Sequence, residues 1–156
     1  MARGNGSESY DLAWYFAGHR TYLESFEKQE RKGFLFTFGD EPAPFQTVSA
    51  MDLETIFGPV NGTGGYEPAT PEASLRAAQQ KYNVFHICIE RNPARSLRNS
   101  WTKMLGNNAI FLRDVQFLTP VVLATMAIAN GANIQTVIAE STCPNELQYA
   151  FANALG

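Results

Sequence analysis

Three short runs, Phe34-Leu35-Phe36-Thr37-Phe38, Val84-Phe85-His86-Ile87-Cys88-Ile89 and Ala109-Ile110-Phe111-Leu112, are apolar on both faces rather than on alternate residues. Alternation would mark a sheet with one wet face. Unbroken apolar runs suit parallel strands covered by helices on both sides. Helical patterns lie between and around the runs, and strand–helix alternation argues for right-handed crossovers in a parallel sheet. The expected fold is α/β: a three-layer parallel sheet of about three strands flanked by helices, a single domain over residues 1–156. Three parallel strands opening directly after a helix look like part of a larger doubly wound fold. The first strand is left with an exposed edge unless something covers it.

The helices announce themselves by their ends. Leu12, Phe16, His19, Leu23 and Phe26 recur at spacings of four and three and predict one long amphipathic helix that stops at Gly33. Ser49 reads as the N-cap of a short helix closed by Gly58. Thr70-Pro71-Glu72 combines a capping hydroxyl, proline at the first helical position and a first-turn acid, and predicts a helix to about Lys81. Asn92-Pro93 starts another, ending near Gly106. Asp114 caps the helix that carries Val121, Val122, Met126 and Ile128 and stops at Gly131, and a last helix runs from Pro144 to the end. Residues 59–69, with Gly62, Gly64, Gly65 and Pro68, form a loop.

Composition excludes several classes. A length of 156 residues lets a chain bury about 68–70% of its unfolded surface, enough to hold a core without a metal or disulfide. A net charge of −3 offers no electrostatic footprint for nucleic acid. No basic segment followed by an apolar one opens the chain, and the longest apolar stretch, Val121 to Ala129, is too short to cross a membrane. Cys88 and Cys143 match no zinc or CxxC spacing. The reading is a cytoplasmic protein.

Ligands of open parallel sheets sit beyond the carboxyl ends of the strands. Each strand here ends in acid: Asp40 and Glu41, Glu90, and Asp114. Converging carboxylates suit Mg²⁺, which takes hard oxygen ligands. The plainer reading makes Asp114 a helix cap and Glu90 a solvent-facing loop residue, while Asp40, before Pro42, is equally a ligand or a turn-former. His19 on the apolar stripe reads as a packed histidine. His86 and Cys88 share a strand face, but no second such pair completes a tetrahedral site. Cys88 in a buried strand is inert, and Cys143 lacks a nearby base. Gly62-Thr63-Gly64-Gly65 lacks the Gly-Lys-Ser/Thr ending of a phosphate loop. Trp14 and Trp101 read as core or interface anchors.

Gly4-Asn5-Gly6-Ser7-Glu8-Ser9-Tyr10, Leu12-Ala13-Trp14-Tyr15-Phe16 and Lys32-Gly33-Phe34-Leu35-Phe36-Thr37-Phe38-Gly39-Asp40-Glu41 together resemble the later part of a bacterial or phage von Willebrand factor A-like domain. The similarity continues through Tyr82 to Ile87, Ser100-Trp101 and Leu105-Gly106. The resemblance implies a doubly wound sheet with a metal-ion-dependent adhesion site on top. Asp40 matches that site's last acid, although the order here is Gly-Asp rather than Asp-Gly. Ser7 matches its middle hydroxyl, with Ser9 or Glu8 as rivals. The family's Asp-x-Ser-x-Ser loop is absent, so half the implied Mg²⁺ shell is missing.

The implied function is a protein-interaction or assembly module rather than an enzyme. It is a split or truncated half that docks a protein partner, or associates with itself, through the exposed sheet edge. One alternative is a small Mg²⁺-dependent phosphohydrolase using Asp40, Glu41, Glu90 and Asp114, which lacks an obvious nucleophile, base or phosphate-binding lysine. The other is a purely structural, viral subunit.

Overall fold

A computed structural model describes residues 8–60, 64–90 and 95–152. These divide into two compact units, a helical one of residues 8–33 and 44–82 and a sheet-bearing one of residues 34–43 and 83–152.

The helical unit contains α1 (Tyr10–His19), α2 (Glu24–Gln29), α3 (Ala50–Phe57) and α4 (Pro71–Lys81). The expected single long helix is two. Thr21 Oγ1 donates to Ala17 O at 2.6 Å, and Lys81 Nζ donates to Thr21 O at 2.9 Å. Both carbonyls are thereby taken by side chains instead of by the amides of a continuing turn. The buried face also differs from the expected stripe. Tyr10, Trp14 and Ala17 are buried, while Phe16 and His19 are exposed. Histidine 19 is therefore not a core residue. α1 packs on α4 so closely at Gly18 that a Cβ there would lie 2.7 Å from the Ala77 Cβ.

α2 ends at Glu30, whose φ of 54° is left-handed, three residues before the expected stop. α3 begins at Ser49, which accepts from the Asp52 amide, and closes at Gly58, as its sequence predicts. α4 starts at Pro71 under the Thr70 cap and ends at Lys81. An antiparallel bridge between Val48 and Ala69 ties the two loops around α3, over a small core with Leu53.

The sheet unit holds β1 (Gly33–Gly39), β2 (Tyr82–Ile89) and β3 (Ala109–Leu112), except that Gly33 and Tyr82 belong to the helical unit, in the order β1-β2-β3. The sheet is parallel and flanked by helices, the expected fold class. β2 pairs with β3 in the register His86↔Ala109 to Ile89↔Leu112. α5 (Arg95–Leu105) is the crossover between them, and α6 (Leu118–Ala129), α7 (Ile134–Ala139) and α8 (Pro144–Ala150) follow. The expected final helix is preceded by α7, whose start is the Asn133 side chain accepting from the Thr136 amide. Asp114 caps a 3₁₀ turn, Val115–Phe117, that leads into α6.

One sheet face, with Phe85, Ile87, Ile110 and Leu112 buried, packs against Val121, Ala124, Ile138, Leu147, Ala150 and Phe151. The other face carries Thr37, His86, Cys88 and Phe111 toward Arg98 and Trp101 of α5. Each fully buried Ile, Leu or Phe contributes about 1.5–3 kcal/mol. Among the described residues no helix is long and apolar enough to cross a membrane.

Candidate functional site

The acids at the carboxyl ends of the strands do not form one cluster. Glu90, expected in solvent, is 3% exposed. Arg98 from α5 grips its carboxylate with two bonds, Nε to Oε1 at 2.7 Å and an Nη2 contact to Oε2 at 2.5 Å. Tyr149 from α8 donates to the same Oε2 at 2.6 Å and accepts from Arg98 at 2.7 Å. The guanidinium lies over the Phe111 ring at 4.4 Å and the Tyr149 ring at 5.1 Å, and Arg113 covers Tyr149 at 4.3 Å while pairing with Glu146 at 2.6 Å.

Burial opposes the charge on Arg98, but the hydrogen bond and charge of Glu90 outweigh it and hold its pKa above the ordinary value. Burial, reinforced by Glu90, raises the Tyr149 pKa. The carboxylate is thus neutralised and its oxygens engaged. This is a clasp between β2, α5 and α8, and it leaves Glu90 unsuited to metal or substrate.

Asp114 accepts from the amide and the side chain of Gln116, so it is spent as a cap. Asp40 is exposed at the end of β1, with an interaction of its own. α5 fixes the loop that follows: Trp101 Nε1 donates to Glu41 O at 2.9 Å, and the Ala43 amide donates to Ser100 Oγ at 3.2 Å. Ser9 is the N-cap of α1 and makes no side-chain capping bond, while its carbonyl accepts from the Leu12 amide. Ser7, the hydroxyl matched to Asp40, lies outside the described residues, as do Gly62 and Thr63 of the glycine-rich loop and the helix start at Asn92-Pro93. Among the described residues no three His, Cys, Asp or Glu side chains group closely enough to hold a metal ion.

Nucleophiles are equally poor. Cys88 has its pKa pushed up to about 12 by burial, with Glu90 and Asp40 adding to the rise, so it stays a thiol at neutral pH. His86 is fully buried, hydrogen-bonded through Nδ1 to Thr37 Oγ1 at 2.9 Å, and stacked on Trp101 at 3.4 Å with planes 6° apart. Burial drops its pKa to about 3, so it is neutral and structural. An apolar cleft of about 160 Å³ lies near Phe85, Ile110, Ile128, Ile134 and Phe151, below the several hundred cubic ångströms typical of organic ligand sites.

The sheet edge is the feature that sets this unit apart. β1 is last in the strand order, and among the described residues no strand pairs on its far side. Its Phe34, Phe36 and Phe38 form a ladder of stacked rings, 6.5 and 6.2 Å apart, and Phe36 also stacks on Phe85 at 5.3 Å. Phe38 is 40% exposed. The chain matches no family model, no curated protein and no solved structure.

Sequence reasoning located the edge and the cap at Asp114 but missed Arg98 and Tyr149. Tyr149 is 59 residues from Glu90 and enters only through the packing of α8.

Proposed function

We propose that this chain is a protein-interaction or assembly module, a half of a von Willebrand factor A-like domain, that completes its sheet with a strand from another molecule. The observation that carries the reading is β1: a terminal strand with an aromatic ladder and only Thr37 buried among its residues. Edge strands of stable monomers are usually short, charged, bulged or covered, because an apolar edge recruits other strands. Strand addition gives affinity through main-chain hydrogen bonds and specificity through alternate side chains.

The chemistry of the other candidates supports binding over catalysis. Glu90 is neutralised by Arg98, Asp114 is a cap, and Cys88 is a protonated thiol. In a site of the implied type Asp40, with Ser7 or Ser9, would hold Mg²⁺, which would supply a counter-charge for an acidic group of the partner. Among the described residues no three His, Cys, Asp or Glu side chains group around Asp40, which does not fit a cation that seeks several oxygen ligands. Docking is therefore assigned to the strand edge and no step runs through the metal.

Amide hydrogen exchange in dilute solution tests this. The outward amides of β1 exchange orders of magnitude faster than those of β2 if the edge is open. Uniform protection along β1 in the dilute chain overturns the reading.

A further inference from the structure

Resting on the open edge proposed above, we infer that the strand completing the sheet is β1 of a second copy, paired antiparallel about Phe36. The argument is the symmetry of charge and size along the chain. Arg31 and Lys32 immediately precede β1, and Asp40 and Glu41 immediately follow it. A two-fold axis through Phe36 sets Lys32 opposite Asp40 of the other copy and Arg31 opposite Glu41. It also sets Gly33 opposite Gly39, Phe34 opposite Phe38 and Leu35 opposite Thr37. Directly opposed residues point to the same sheet face, so the two phenylalanine ladders join into one aromatic surface.

The same pattern rejects the alternatives. Parallel self-pairing sets Arg31 and Lys32 beside their own copies and Asp40 and Glu41 beside theirs, four like-charge juxtapositions. Slipping the antiparallel register by two residues one way sets Glu30 against Asp40. Slipping it the other way sets Phe34 against Asp40 and Gly33 against Glu41. One register gains four opposite-charge pairs, counting both halves of the dimer, and its neighbours lose them. That is how cross-strand charges specify pairing. Lys32, Arg31 and Asp40 are exposed. The Lys32 ammonium donates to Gln79 O at 2.6 Å, and of its three protons two remain for a cross-strand acid. The product is a six-stranded sheet, β3-β2-β1-β1-β2-β3, of ordinary size.

The test is sedimentation equilibrium of the full chain, with Lys32→Asp, Asp40→Lys and the double variant, each checked for a native thermal transition. A dimer is expected, weakened on the order of tenfold by each single swap and recovered by the double swap. Arg31→Glu with Glu41→Arg repeats the test at a second pair of sites. A dimer indifferent to the swaps, or one the double swap fails to recover, overturns the inference. So does a monomer at every concentration. In that case amide exchange separates the two readings: fast outward β1 amides leave the edge open for a different partner strand, whereas protected ones remove the open edge as well.

Discussion

The two outer strands of this sheet solve the edge problem in opposite ways. β3 is four residues long and every one is buried, closed in by α5 and α8. Its polar boundary is knitted shut by Glu90, Arg98 and Tyr149. β1 is longer, carries a stacked row of phenylalanines, and has Phe38 40% exposed. Brevity and cover make β3 a finished edge, while length and aromatic exposure make β1 the edge at which the proposed joining occurs. The proposal places association at the second.

That division can be broken at the β3 side with the largest effect. Arg98→Ala removes the counter-charge of a carboxylate that stays buried, and a loss of about 3–5 kcal/mol is expected from denaturant midpoints. A loss under about 1 kcal/mol would mean that Glu90 is not held by the clasp. Next comes the core of β3: Leu112→Ala, at a fully buried position, costs about 2–5 kcal/mol. Leu35→Ala on half-buried β1 costs roughly half as much by the same bookkeeping. Equal losses at the two sites would erase the contrast between the edges.

His86 gives a pH-dependent effect between the strands. Its folded pKa of about 3 lies below the ordinary value of 6.5, so the unfolded chain takes up the proton first as pH falls. The contribution is complete above about pH 6.5 and is lost toward pH 3, at about 1.4 kcal/mol per pH unit. His86→Phe should flatten the unfolding free energy over that window relative to the parent; identical slopes would contradict the assignment. The smallest stability effect is expected at Phe38→Lys, under about 1 kcal/mol by thermal melt, although it places a charge on the joining edge and should abolish association.

Much of this fold was readable because its strands are apolar on both faces, a pattern that only helix-covered parallel strands tolerate. The caps at Ser49, Thr70-Pro71 and Asp114 were readable because capping is a local hydrogen bond. The break between α1 and α2 was not, since it depends on Lys81 reaching Thr21 across 60 residues. The buried face of α1 was misread for a related reason: the close approach of α4 at Gly18 selects Trp14 and Ala17 over the larger stripe. At the site, the acid after each strand was visible, but the fate of Glu90 was not. Its partners Arg98 and Tyr149 come from two helices that must first pack on the sheet.

Nuclear Overhauser contacts in a mixture of isotope-labelled and unlabelled chain probe the joining edge most directly. Transfer between copies is expected at Phe36 with itself and between Phe34 and Phe38, with none along β3. Intermolecular contacts that spare residues 33–39, in a sample shown to be associated, would contradict an edge completed by a second β1.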